Sequence, residues 1–248
     1  MPADKSYRER IYAKYATAQV PIWLNAPDNA GRSNGGAIVR RLRGWLPQVP
    51  SISCLDLGCG AGDLILGLQS IGYSSVIGID GGPEQVAIAR ARGASVVQAN
   101  ILEYLRASDQ TFDLIFAYDV IEHFTKDEVL DLLALIWKHL KPGGRLILQT
   151  PNAMSPWASH YRYHDLTHEL IFAPECLAST LRFSNFRNVE LREVGPYIHG
   201  FVSAVRWVLW KFIWAGFIAV NCIESGQSYG GVYTRNMLVS AVKDNLAR

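Results

Sequence analysis

From Ile52 onward the chain alternates short apolar runs with stretches in which apolar residues recur every three or four positions. A run of four to eight apolar residues bounded by turn signals reads as a buried strand, and the three-to-four spacing as one face of a helix. The pattern predicts strands over Ile52–Leu57, Ser75–Ile79, Ser95–Gln98, Phe112–Tyr118 and Arg145–Gln149. Helices are predicted over Asp63–Ile71, Pro83–Arg92 and Lys126–Leu140. Pro83 stands in a first turn, where its missing N–H costs little. Lys141-Pro142-Gly143-Gly144 stops the long helix. Such alternation implies right-handed crossovers and a doubly wound α/β domain, with a mostly parallel sheet between helical layers. Ligands of such sheets bind beyond the carboxyl ends of the strands.

Before and after this core the pattern changes. Residues 1–46 read as a helical N-terminal extension, with helical spacing over Glu9–Ala18 and Ala37–Leu46 around a loop rich in Asn, Gly and Pro; Pro47 and Pro50 close it. Residues 150–173 form a polar, aromatic, His-rich insertion. A helix over Pro174–Leu181 and a strand over Asn188–Glu193 follow, and Val232–Val242 is the last strand. Some 38 residues separate Glu193 from Val232, so 195–230 is a second insertion, apolar over 200–222. Both insertions belong on the acceptor side of one domain spanning 1–248.

Composition narrows the function classes. The length of 248 residues suits one domain of the larger kind. A net charge of +2 with no long basic run leaves no electrostatic footprint for a nucleic acid. The local cluster Arg40, Arg41 and Arg43 reads as one solvated helix face. Cys54, Cys59, Cys176 and Cys222 contain no Cys-x-x-Cys pair, which fits reduced cysteines in a cytoplasmic protein. The N-terminus is too polar for a secretory signal, and Pro2 excludes the myristoylation pattern.

The first chemistry-bearing segment is Asp56-Leu57-Gly58-Cys59-Gly60-Ala61-Gly62. Glycines allow a sharp strand-to-helix turn and let backbone approach a ligand. Asp80 lies eighteen positions after Gly62, at the end of the next strand, where a carboxylate can grip the hydroxyls of a ribose. Asp63 stands where a dinucleotide fold wants a third glycine, which argues against a nicotinamide oxidoreductase.

LDLGCGAG, GID, FDLIFAYDVIEHF and LKPGGRLIL, in this order over residues 50–150, resemble the motifs of class I S-adenosylmethionine-dependent methyltransferases. The resemblance implies a Rossmann-like, seven-stranded sheet whose last strand is antiparallel, and S-adenosylmethionine as cofactor. It places Asp56, Gly58, Cys59, Gly60 and Gly62 against the methionine part, and Asp80 with Gly81 at the ribose. Asn100, Ala99 and Ile101 would flank the adenine, and Tyr118 and Asp119 would lie beneath the sulfonium.

The second segment is Tyr161-Arg162-Tyr163-His164-Asp165-Leu166-Thr167-His168-Glu169. His160, His164 and His168 would share one face of a helix, which raises a metal site. Pro156 and the mixed polarity suggest a loop instead, and spacing alone does not supply ligand geometry. A structural or stacking role stays open. The preferred reading is acid–base chemistry without a resident metal: His168 as base, then His164, then His123 after the fourth strand beside Glu122, with Asp165 as orienting carboxylate. HDLTHELIFAPE resembles bacterial methyltransferases associated with surface glycans and, less closely, quinone-ring O-methyltransferases.

The expected activity is methyl transfer to a hydroxyl of a sugar or glycan, nucleotide- or lipid-linked, in cell-surface polysaccharide biosynthesis. A quinone or other phenolic small molecule is the alternative acceptor, and a non-catalytic cofactor-binding protein the alternative class. In the apolar insertion, Trp207, Trp210 and Trp214 fall on one helical face while Leu209, Phe212, Ile213 and Phe217 cover the rest. Burial, a homodimer contact, peripheral attachment at the inner face of the membrane and a membrane span are all readings of this segment.

Overall fold

A computed structural model describes residues 6–18, 35–49, 51–226 and 231–244. Strands β1 (Ser53–Leu57), β2 (Ser75–Asp80), β3 (Val96–Gln98), β4 (Phe112–Tyr118), β5 (Leu140–Pro151), β6 (Phe186–Glu193) and β7 (Asn236–Lys243) form one sheet in the order β3-β2-β1-β4-β5-β7-β6. β7 runs antiparallel between β5 and β6, and the pairings among β1 to β5 are parallel. The chain reverses its direction of travel between β1 and β4, which opens a crevice at their carboxyl ends.

Helices cover both faces: α3 (Gly35–Arg41), α4 (Asp63–Ser70) and α5 (Pro83–Ala91) on one, and α6 (Ile101–Ala107), α7 (Lys126–His139) and α9 (Pro174–Phe183) on the other. α7 starts at a Thr125/Glu128 capping box and buries Val129, Leu132, Leu133 and Ile136, one stripe at helical spacing. Gly35 and Gly67 bring α3 close onto α4; a Cβ on Gly35 would stand 2.4 Å from the Asp63 carbonyl oxygen.

Several boundaries differ from the sequence expectation for local reasons. The helix expected over Glu9–Ala18 starts earlier, at a Ser6/Glu9 capping box, and divides into α1 (Tyr7–Tyr12) and α2 (Tyr15–Ala18). The one expected over Ala37–Leu46 is α3, which ends at Arg41. Most of the loop between them, Pro50 and residues 227–230 of the second insertion lie outside the described residues. The unforeseen α6 is too short to show a period; Asn100 caps it, its side-chain oxygen accepting from the Leu102 and Glu103 N–H groups. The last strand starts at Asn236 rather than Val232, because the carbonyls of Val232 and Thr234 accept instead from the buried Asn152 amide. Cys54 and Cys59 are buried, while Cys176 and Cys222 are exposed; all four are free thiols.

The N-terminal helices pack against the 150–173 insertion and the start of α7. Arg8 donates two hydrogen bonds to Glu128 and pairs with Glu169, which also accepts from Tyr7. The second insertion forms α10 (Phe201–Ser225), pinned by one face and exposed along the other.

Candidate active site

β1 carries Asp56 to the carboxyl edge of the sheet and hands the chain to the glycine turn. Gly58, Gly60 and Gly62 have φ of +65°, +51° and +81°, a region that side chains with a Cβ rarely enter. The Gly58 and Cys59 N–H groups donate to the Ile79 carbonyl at 2.8 and 3.1 Å, which ties the turn to β2. Asp80 closes the same unit: its carboxylate accepts from the Gly60 and Gly82 N–H groups, both at 2.8 Å. Burial raises the Asp80 pKa, and these two donors oppose that.

A cleft of about 510 Å³ opens above the turn, walled by Asp56, Gly58, Cys59, Gly60, Tyr118 and Asp119, with Ile38 and Arg41 of α3 opposite. Asp56 is buried, and no hydrogen-bond donor reaches its carboxylate among the described residues; burial and the charge of Asp80 raise its pKa. The Tyr118 hydroxyl and Arg41 Nε are likewise buried without partners. Asp119, at φ +53°, accepts from the Gln149 amide at 2.9 Å; protein walls around its carboxylate push the pKa up to about 6. Asp80, Gly81, Asn100 and Ile101 are not among the residues that wall the cleft, although Asp80 is bonded to Gly60, which is. Ile101 stays beside Gly58: a Cβ there would stand 3.9 Å from Ile101 Cδ1.

Three of these residues, Ile38, Arg41 and Gln149, escaped the sequence. Gln149 ends the fifth strand as the sequence predicts it, which was a usable signal. Arg41 belongs to a cluster that reads as solvated, but only Arg40 and Arg43 face solvent; the seating of α3 on α4 turns Arg41 inward, and local sequence does not encode that seating.

Glycine 60 makes a direct test of the cleft. A Cβ at this position meets no protein atom within 4 Å, so Gly60→Ala should cost only its backbone strain, about 1–2 kcal/mol. The methyl enters space that a bound ligand would use, so the affinity for S-adenosylmethionine should fall at least about tenfold. Gly58→Ala drives its methyl to 2.5 Å from Val120 Cγ2 and should unfold at a clearly lower temperature than Gly60→Ala. Melting curves and calorimetric titration of the two variants check both statements.

A second cluster of polar side chains is assembled after β4 and β5. A 3-10 turn, Ile121–His123, follows β4, and the 150–173 insertion folds over it through α8 (Ala158–Tyr163). His168 is 7% exposed and its Nδ1 lies 2.8 Å from the Tyr161 carbonyl. A carbonyl only accepts, so Nδ1 carries the hydrogen and Nε2 keeps its lone pair. Burial lowers the His168 pKa from its ordinary 6.5. His123, 4.7 Å away ring to ring, is pulled down to about 4 by burial and by His168.

Asp165, expected as an orienting carboxylate, reaches His123 through Thr167. It accepts from the Thr167 hydroxyl at 2.7 Å and from the Tyr15 hydroxyl at 2.6 Å. The Thr167 oxygen is 2.8 Å from His123 Nδ1, so the carboxylate orients His123 through Thr167 rather than His168 directly. Thr167 was missed because its partner His123 is 44 residues away.

The four-residue histidine spacing sets His160, His164 and His168 in one row of rings, His164 and His168 at 5.1 Å, while the group with metal-ligand spacing among the described residues is a different one. His160 and His164 stack on the exposed side, ring centroids 5.6 Å apart, and His164 closes α8 as its C-cap. His168 turns inward instead. One ligand atom from each of Glu122, His123 and His168 lies within 4.8 Å of the other two, a spacing that suits a divalent cation. Glu122 is fully buried, with one oxygen accepting from Thr150 and the other unpartnered, and burial holds its pKa well above the usual range.

A family model for a methyltransferase domain matches residues 32–191, well over half of the sequence. The chain belongs to this methyltransferase family. The methyltransferase is 32% identical over 128 residues to trans-aconitate 2-methyltransferase of Deinococcus radiodurans, covering 50% of this chain and 47% of that protein. It is 31% identical over 116 residues to the mitochondrial ubiquinone biosynthesis O-methyltransferase of Dictyostelium discoideum, covering 41% and 36%. The matched stretches thus span half or less of these relatives. The fold is that of a solved S-adenosylmethionine-dependent methyltransferase of Archaeoglobus fulgidus, with TM-score 0.62 at 22% identity over 84% of this chain and 94% of that one. S-adenosylmethionine is the cofactor of this class, and the cleft fits it: among the described residues no donor reaches the Asp56 carboxylate and no acceptor reaches Arg41 Nε, and Gly60 leaves its Cβ space open.

Proposed function

We propose that this methyltransferase is an O-methyltransferase whose acceptor is a hydroxyl of a sugar or glycan, nucleotide- or lipid-linked. The observation that carries the reading is the neutral, nearly buried His168, with its free Nε2 on the acceptor side of the sheet. S-adenosylmethionine supplies an electrophilic methyl group on a sulfonium. Asp56 would hold its ammonium group, Arg41 its carboxylate and Asp80 its ribose hydroxyls. Asn100 already spends its side-chain oxygen on the α6 cap, so its amide N–H and the Ile101 side chain remain for the adenine edge. Tyr118 and Asp119 stand at the sulfonium end.

Methyl transfer is an in-line displacement, so the protein's main task is to fix the acceptor oxygen on the line of attack. His168 Nε2 takes the hydroxyl proton as the new oxygen–carbon bond forms. The polar surroundings of Glu122, Asp165 and Thr167 suit an acceptor rich in hydroxyls. A quinol or other phenol is the second reading. It draws support from the likeness to the ubiquinone biosynthesis O-methyltransferase and from the rings of Tyr12 and Tyr15, 5.7 Å apart, above His123.

A screen of cofactor turnover against nucleotide sugars, lipid-linked glycans and quinols tests the reading. Turnover with a sugar acceptor supports it, and turnover with quinols alone replaces it by the second. Tight binding of S-adenosylmethionine with no turnover on any acceptor would make the protein a non-catalytic cofactor binder.

A further inference from the structure

We propose that the outer face of α10 rests on an anionic lipid bilayer, lying in the plane of its surface. The proposal stands independently of which acceptor the enzyme uses.

α10 has two unlike faces. At about 100° per residue, Ser203, Trp210, Trp214, Phe217 and Asn221 project to one side. That side is pinned to the domain. Trp210 Nε1 and Lys211 Nζ reach the Glu193 carboxylate at 3.3 Å, Trp214 Nε1 donates to the Gly231 carbonyl at 2.9 Å, and Asn221 donates to the Tyr233 hydroxyl at 2.7 Å. Two of the three tryptophans therefore face inward. The opposite side carries Phe201, Val205, Leu209, Phe212, Val220 and Ile223. Phe201, Phe212 and Ile223 are 83%, 72% and 86% exposed. No acidic residue occurs from Phe201 to Ile223, and the exposed Arg206 lies at the border of the apolar strip.

Three arguments select the occupant. The helix is long and apolar enough to cross a membrane, but its neighbours forbid a crossing. β6 ends at Glu193 and β7 begins beside it, with Glu193 paired to Met237. After a crossing of about 30 Å, the chain from Gly226 to Arg235 would have to return through hydrocarbon. Gly226 and residues 231–235 are non-helical, and exposed irregular backbone is not tolerated there. A second copy of the chain is disfavoured by area. A helix of 25 residues is about 37 Å long and about 10 Å wide, so the strip offers roughly 400 Å², half of what each partner of a specific interface buries. A bilayer surface needs no shape complementarity. The charge is also right: Arg206 and the exposed Arg40, whose guanidinium donates to Tyr197 at 3.0 Å just before the helix, suit anionic headgroups.

The consequence for the enzyme is one of placement. The segment that leaves α10 supplies Val232 and Thr234 to the Asn152 amide, and Arg235 to the Tyr161 hydroxyl and the Trp157 ring. The membrane-facing helix is thus wired directly to the acceptor insertion.

The test is co-sedimentation of the full-length protein with vesicles of phosphatidylcholine, alone or mixed with phosphatidylglycerol. The wild type should pellet with the anionic vesicles and much less with the neutral ones. The double variant Phe212→Glu/Ile223→Glu should bind at least about tenfold more weakly, with an unchanged melting temperature, since both side chains already face solvent. Wild type that stays in the supernatant with both vesicles overturns the proposal. So does binding that the double variant leaves intact. A dimer in analytical ultracentrifugation that the same variant dissociates, without vesicle binding, would assign the strip to a second copy instead.

Discussion

Calorimetric titration of Asp80→Ala should show an affinity for S-adenosylmethionine about 100-fold or more below that of the wild type. Two ribose hydroxyls donating to one carboxylate are charge-assisted bonds, each contributing about 1.5–3 kcal/mol; every 1.4 kcal/mol is about a factor of ten. The same carboxylate holds the Gly60 and Gly82 N–H groups, so its removal also loosens the glycine turn that forms the cleft floor. Asp80→Asn keeps one acceptor oxygen and no charge, and should fall between the two. Unchanged affinity in Asp80→Ala would remove Asp80 from the cofactor site, provided that the melting temperature confirms a folded variant.

His168→Ala should lower turnover by about 10²-fold or more while cofactor affinity stays near that of the wild type, the signature of a lost general base. The pH profile carries the same information with a defined sign. A base acts in its neutral form, and burial makes protonation of His168 harder, so its acid limb lies below the ordinary 6.5. Turnover should be flat above that value and fall on the acid side of it; in His168→Ala this limb should disappear. In that variant His123, relieved of its neighbour His168, should titrate above its present value of about 4, while the limb of Asp119 near 6 stays and distinguishes the profile from that of a generally damaged enzyme. Near-normal turnover in His168→Ala would move the role to His123, whose Nδ1 is already oriented by Thr167 and Asp165, or to His164. Activity lost on chelation and restored by a divalent ion would instead make Glu122, His123 and His168 cation ligands.

The cofactor half was legible in the sequence because its determinants are local. The strand before the glycine turn, the turn itself and the aspartate at the end of the next strand lie within 28 consecutive residues, Ser53–Asp80. The alternation of strand and helix was legible for the same reason, except at α6, where seven residues do not establish a period. The acceptor half joins residues far apart in the chain. Tyr15 meets Asp165 across 150 positions, and His123 meets Thr167 across 44. His164 and His168 look equivalent in sequence, yet one caps a short helix in solvent while the other turns into the protein. In α10 the three tryptophans share one face by spacing, which leaves burial and exposure open, and the positions of Glu193 and Gly231 draw two of them inward.

The antiparallel course of β7 has a consequence for how such an enzyme can change. β5 ends at the same edge as β6, and β7 starts there, Pro151 facing Asn236 and Glu193 facing Met237. Both insertions are therefore spliced into connections that open at the ligand end, while β3-β2-β1-β4 keeps the cofactor. Residues 152–173 and 194–235 lie outside the pairings of β5, β6 and β7, so a change of length or sequence there leaves the register of these strands as it is. Specificity can drift in one half of the molecule while the methyl-donor half stays as it is.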